Sequence, residues 1–125
     1  HSFRPRYSET DQMGVVYYGN YAAYFEVGRV ELLRKLGLSY AQLEKNGTML
    51  PVVHMSIDFK RGAKYDEEVI LETSIIDRPT RKISFYHTLR DTEGNTMVRK
   101  SSARICRQKY IQAKELSGRT GNAIC

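Results

Sequence analysis

The segment from Glu9 to Asn20 carries residue types that the packing of a hydrophobic core does not require. Asp11 follows a predicted strand, Gly14 permits a tight turn, and Tyr18 enters a predicted helix. The first backbone N–H groups of a helix lack partners and lie at the positive end of its dipole, so they stabilise a developing oxyanion. An ionised Asp11 beside them suits a nucleophile or a group that orients water. These types and this spacing predict acyl-transfer chemistry.

Each of these residues also has an ordinary structural alternative. Asp11 could form an Asx-turn or cap a helix, and Gly14 and Gly19 are common turn residues. The tyrosines of this region could pack in the core or at a subunit interface; they are Tyr17, Tyr18, Tyr21 and Tyr24. From residue types alone, both interpretations stay open.

One long helix must position these groups. Residues 20–36 show a helical period in which the apolar face gathers Tyr21, Phe25, Gly28, Leu32 and Leu36. Asn20 is the predicted N-cap, and Gly37 is the predicted residue after the C-cap. Gly28 on the apolar face predicts a close approach to a neighbouring element. Residues 39–46 predict a short second helix.

After residue 50 the period changes to two, which is typical of strands with one buried face. In the first of these strands the predicted buried face consists of Val53, Met55, Ile57 and Phe59. The predicted strands cover residues 53–59, 68–76, 82–90 and 96–110, after a short first strand at residues 4–8. The turn residues at 77–80 and 91–95 suit antiparallel hairpins. The sequence therefore predicts one α+β domain over residues 1–116 and a flexible tail at 117–125. The uncovered side of such a sheet predicts a homodimer at least.

The positive net charge is concentrated in one late segment of the sequence. Lys and Arg total 20 and Asp and Glu total 14, giving +6, and residues 99–125 alone hold seven basic groups and one acidic group. A basic segment is typical of nucleic-acid binding, but no helix-turn-helix or RNA-binding signature accompanies it. The longest uncharged run, Gln12 to Phe25, is too short for a membrane span. We expect no signal peptide, no metal and no cofactor, and the spacing of Cys106 and Cys125 favours a reducing cytoplasm.

The motif Asp11-x-x-Gly14-x-x-x-Tyr18-x-Asn20-Tyr21 resembles the opening signature of hotdog-fold acyl-CoA thioesterases of the 4-hydroxybenzoyl-CoA thioesterase type. The likeness covers about residues 4–108, and a branch associated with the Tol-Pal envelope system is also similar. The resemblance implies a hotdog fold, in which a five- or six-stranded sheet wraps around the long helix and active sites lie at a dimer interface. It also implies that Asp11 carries catalysis and that the Tyr18 amide holds the thioester oxygen.

The same resemblance extends to further site residues. Those expected to contact substrate are Gly14, Val16, Tyr17, Asn20, Pro51 and Val52. Coenzyme A carries phosphates that need basic partners; the candidates are Arg81 and Lys82, by position, and Lys60 and Arg61 at a strand end. Another type of hotdog thioesterase uses a carboxylate on the helix, for which Glu26 is the nearest counterpart, although a structural pair with Arg29 is favoured.

The resulting prediction is a cytoplasmic acyl-CoA thioesterase that hydrolyses its substrate to a free acid and CoA, acting as a homodimer or homotetramer. Two alternatives remain. The acyl group could be carried on an acidic carrier protein complementary to the basic segment. The chain could instead be a non-enzymatic module that binds acyl-CoA or nucleic acid. A dehydratase is disfavoured because no catalytic His lies near the helix.

Overall fold

The computed structural model describes residues 1–76, 81–106 and 108–109, with residues 100, 108 and 109 described by their backbone. It contains two helices, α1 (Tyr21–Lys35) and α2 (Tyr40–Lys45), and 3₁₀ turns at Tyr7–Glu9 and Tyr18–Asn20. Its strands are β1 (Ser2–Phe3), β2 (Thr48–Met49), β3 (Val52–Phe59), β4 (Val69–Ile75), β5 (Lys82–Asp91), β6 (Thr96–Cys106) and β7 (Gln108–Lys109).

Five strands form one antiparallel sheet in the order β1-β4-β5-β6-β3, and β2 pairs with β7 separately. The long helix α1 packs across β4 and β5. The main core lies where the first half of α1 meets the sheet, and a smaller cluster surrounds Leu33, Phe85 and Ile105. The predictions of an α+β fold and of a five- or six-stranded sheet against one long helix are confirmed.

Gly28 lies against the sheet, as the sequence predicts. A Cβ atom at this position would come within 2.8 Å of Leu71 Cδ2 and would also collide with Thr73 Oγ1. Any side chain here would push α1 away from β4, so the lower helix propensity of glycine is offset by closer packing.

The buried face of α1 differs from the prediction at its end. Tyr21, Phe25 and Gly28 are buried and Leu32 is half-buried, but Leu36 is 61% exposed. The helix stops at Lys35, and the chain then turns through Gly37, whose φ is +82°. Leu36 consequently leaves the sheet, whereas the predicted role of Gly37 is confirmed.

Three local predictions need correction. The first strand is Ser2–Phe3 rather than residues 4–8, because the Arg6 N–H donates to the Glu9 carboxylate at 2.7 Å and closes a turn. Asn20 occupies the N-cap, but its side chain makes no cap hydrogen bond. Phe59 breaks the alternation of β3 and is 47% exposed, since β3 shifts register between Ser56 and Asp58.

The other elements agree with the sequence to within a few residues. α2 matches the predicted second helix, and β4, β5 and β6 match the last three predicted strands. Part of the basic segment, the strand end at residue 110, the turn at 77–80 and the tail at 117–125 lie outside the described residues.

Candidate active site

A tight loop holds Asp11. The loop is closed by an isolated bridge between Thr10 and Val16, and the Asp11 N–H donates to the Val15 carbonyl at 2.9 Å. Gly14 turns the chain with φ at +80° and donates its N–H to the Asp11 carbonyl at 3.0 Å. The half-buried carboxylate accepts the Met13 N–H on Oδ1 at 2.9 Å. The Asx-turn is therefore real, and it leaves Oδ2 without a hydrogen bond from any described residue.

The Glu9 carbonyl ties this loop to the start of the helix. It accepts the Tyr17 N–H at 2.9 Å and the Asn20 side-chain amide at 2.9 Å. Asn20 therefore fixes the loop against the helix instead of capping it. The Tyr18 N–H begins the 3₁₀ turn that runs into α1, and no described residue accepts it. This N–H is one of the unpaired donors expected at a helix start.

A pocket of about 240 Å³ opens between the Asp11 loop and the end of β3. Of the predicted site residues, Asp11, Val16, Tyr18, Lys60 and Arg61 line it. Five further lining residues were not predicted as site residues: Met13, Val15, Tyr21, Phe59 and Gly62. Asp11, which carries the carboxylate, and Tyr18, whose N–H is unpaired among the described residues, thus line one cavity together with apolar side chains. The Tyr17 ring is tilted by 42° against the Tyr18 ring, with ring centroids 4.6 Å apart.

Other predicted residues lie at the opposite end of the sheet. Val52 pairs with Ile105, which also pairs with Ile83, so Pro51, Val52, Arg81 and Lys82 belong to one end. Phe59 and the pocket belong to the other. The seven residue steps of β3 span about 23 Å at about 3.3 Å each. Within one chain the structure therefore does not bring these four residues to Asp11.

Arg61 has partners other than a phosphate. Its Nη2 lies 2.9 Å from Glu67 Oε2 and 2.9 Å from Asp91 Oδ2. Glu67 Oε1 also accepts the Lys64 N–H at 3.1 Å, which closes the loop after β3. These contacts compensate the Arg61 charge and anchor the pocket wall to the β5–β6 turn, where Asn95 also binds Asp91. Lys60 is the better phosphate candidate of the pair.

Stability should depend on the ionisation of Asp91. Hydrogen bonds from Asn95, with further ones from Arg61 and Glu93, lower the pKa of Asp91 to about 2. A carboxyl group whose pKa is lowered by folding stabilises the fold above its unfolded pKa and loses that contribution as pH falls through the folded value. The urea midpoint should thus decrease between about pH 5 and pH 2.

The Asp91→Asn variant should show a weaker dependence over the same range. Glu72→Gln is the matched control, because it breaks an ion pair with Arg90 whose carboxylate is more exposed than that of Asp91. Equal pH slopes for wild type and Asp91→Asn would contradict this prediction.

A buried polar cluster that includes Arg29 and His87 lies beneath α1. Arg29 is 4% exposed, and its Nε and Nη1 have no hydrogen-bond partner among the described residues. Its positive charge opposes the rise that burial causes in the pKa of Tyr40. His87 Nδ1 lies 3.1 Å from Thr73 Oγ1, and burial, together with Arg29, lowers the pKa of His87 to about 4. His87 is therefore a neutral core residue at pH 7. Glu26 is exposed and forms no ion pair with Arg29 among the described contacts.

The sequence profile described as Thioesterase superfamily matches residues 13–98. The putative acyl-CoA thioesterase YneP of Bacillus subtilis is 38% identical over 104 residues, which cover 83% of this chain and 75% of that protein. The chain belongs to the thioesterase superfamily. The acyl-CoA thioesterase YbgC of Haemophilus influenzae is 30% identical over 82% of this chain and 74% of its own length.

Solved structures agree with this thioesterase-superfamily membership. The DHNA-CoA thioesterase of Staphylococcus aureus has a TM-score of 0.84 and 32% identity, covering 90% of this chain and 74% of that one. The hotdog fold implied by the sequence motif is thereby confirmed. In the described part of this superfamily member, no helix is long and apolar enough to cross a membrane.

Proposed function

We propose that the protein hydrolyses acyl-CoA thioesters to a free acid and CoA. The observation that carries the proposal is that the Asp11 carboxylate and Tyr18, whose N–H is unpaired, line the same pocket. Membership of the thioesterase superfamily and the names of the relatives support it. CoA enters as part of the substrate, and the proposed reaction uses no other cofactor.

In the proposed reaction, the Tyr18 N–H donates to the thioester carbonyl oxygen and stabilises the negative charge that develops there. Removing one such donor typically costs about 3 kcal/mol of transition-state stabilisation. Asp11 either attacks the carbonyl carbon or takes a proton from an attacking water. In both routes the carbon–sulfur bond then breaks, and CoA leaves as a thiolate that takes a proton from Asp11 or from water. Where Asp11 is the nucleophile, water then hydrolyses the mixed anhydride to the free acid and regenerates the carboxylate.

We also propose that the functional unit is a homodimer, or a homotetramer built from it, paired through β3. This strand is at the edge of the sheet, and edge strands pair readily with another chain. A two-fold axis there would set the Phe59 end of one β3 beside the Val52 end of the other. The partner's Pro51 and Val52 would then border the pocket. Its Arg81 and Lys82 would lie about three strands away, roughly 14 Å, which suits the nucleotide end of CoA.

The direct test of function is thiol release from a panel of aromatic, short aliphatic and long-chain acyl-CoAs. We expect hydrolysis of at least one class at a kcat/KM above about 10⁴ M⁻¹s⁻¹. A second assay uses the same acyl groups attached to a carrier protein, at two salt concentrations. Comparing the hydrolysis rates of the two substrates distinguishes acyl-CoA from the carrier-bound alternative. No thiol release from any acyl-CoA would contradict the proposal. Cytoplasmic location remains a prediction of the sequence.

A further inference from the structure

Tyr21 is the first residue of α1 and forms part of the pocket wall with Asp11. The side chain is 2% exposed, and its hydroxyl oxygen accepts the Ala63 N–H at 3.2 Å. A phenol also has one proton to donate. No described residue accepts that proton, so a residue that lines the cavity retains an unused hydrogen-bond donor.

The hydroxyl is held from several sides. The ring packs edge-on against Phe59, with centroids 5.2 Å apart. The Ala63 carbonyl accepts the Val16 N–H at 2.7 Å, so the Ala63 backbone joins the helix start to the Asp11 loop. Arg61, two residues earlier, anchors this segment through its carboxylate partners. Such support restricts the direction in which the proton can be offered.

The charges around the hydroxyl keep the proton on it. Burial raises the pKa of Tyr21, the Asp11 and Glu67 carboxylates add to that effect, and the Ala63 N–H and Arg61 oppose it. Asp11 is therefore near enough to influence the hydroxyl, although no direct hydrogen bond joins them. A water molecule between Tyr21 and the unoccupied Asp11 Oδ2 would complete the hydrogen bonding of both.

We propose that the Tyr21 hydroxyl is a further catalytic group that donates a hydrogen bond to the water which Asp11 orients. This inference rests on the proposed function and selects the water-orienting role of Asp11. The water oxygen bonds to the thioester carbon while one water proton passes to Asp11. The carbon–sulfur bond then breaks, and the thiolate takes the proton from Asp11. Tyr21 keeps its own proton throughout.

The test replaces Tyr21 with Phe, which removes the hydroxyl and keeps the ring contacts. We expect kcat to fall at least about tenfold with KM within about twofold, because the lost contact is to water and not to the substrate. Tyr24→Phe is the matched control: Tyr24 is also buried on α1, but it does not line the pocket. Thermal melting verifies that both variants fold.

Two further measurements test the shared water: the first separates catalysis by Tyr21 from a purely structural role, and the second tests the water-orienting role of Asp11. The double variant Asp11→Asn with Tyr21→Phe should be no slower than Asp11→Asn alone within about twofold, because both groups act on the same water. A single turnover of wild type in ¹⁸O-water should label the product acid and leave the Asp11 peptide unlabelled. This labelling needs no variant and does not depend on how Tyr21→Phe folds.

The outcomes distinguish the two levels of the proposal. A folded Tyr21→Phe variant with wild-type kcat, beside an inactive Asp11→Asn, overturns the role of Tyr21 alone. Label in the Asp11 peptide also overturns the inference, since it identifies Asp11 as the nucleophile, but it leaves acyl-CoA hydrolysis intact. Absence of hydrolysis by wild type overturns the proposed function itself.

Discussion

Replacing Asp11 by Asn should lower kcat for acyl-CoA hydrolysis by at least about 100-fold, because the variant has neither a nucleophile nor a proton acceptor. The substitution is nearly isosteric, and the amide oxygen of Asn can still accept the Met13 N–H that defines the Asx-turn. The loop geometry and the melting temperature should therefore change little. Steady-state thiol release and a thermal melt measure the two effects separately.

The control for this variant is Glu44→Gln, which removes an exposed carboxylate of α2 that does not line the pocket. Its kcat should stay within about twofold of wild type, as is usual for surface substitutions. A folded Asp11→Asn protein with nearly wild-type kcat would eliminate Asp11 as the catalytic carboxylate. The Asx-turn would then be its whole role.

Much of the fold was predictable because hydrophobic period is a local property. The 3.6-residue period located α1, and the two-residue period located β4, β5 and β6. The errors occur where tertiary contacts override that period. Leu36 follows the end of the helix, and Phe59 follows a register shift in an edge strand. Neither position can be inferred from the spacing of apolar residues alone.

The candidate site also has one part that the sequence predicts and another part that only tertiary contacts create. Asp11, Gly14 and Tyr18 lie within one short segment, so residue types and the motif were enough to identify them as candidate site residues. The contact between Tyr21 and Ala63 crosses 42 positions, and that between Arg61 and Asp91 crosses 30. A basic residue beside a strand end looks the same in sequence whether it faces a phosphate or two carboxylates. Only the fold shows that Arg61 contacts two carboxylates, those of Glu67 and Asp91.

The division of the predicted site between two ends of one sheet leads to a strong test of assembly. Charge reversal of the basic pair, Arg81→Glu with Lys82→Glu, should reduce kcat/KM for acyl-CoA at least about tenfold by repelling the CoA phosphates. The matched control reverses another adjacent basic pair, Arg34→Glu with Lys35→Glu, which is exposed at the far end of α1. That control should retain kcat/KM within about twofold.

A hybrid dimer of one Asp11→Asn chain and one charge-reversed chain should then recover about half of the wild-type activity. If each site takes Asp11 from one subunit and the basic pair from the other, the hybrid holds one intact site and one site with both defects. Co-expression with two different affinity tags and tandem purification isolates the hybrid for a kcat/KM measurement. If instead each chain supplies its whole site, the hybrid can have no more than half the activity of the charge-reversed dimer, about 5% of wild type. Activity that low would refute the shared site, because each of the two sites in the hybrid would then carry one defect and neither site would be intact.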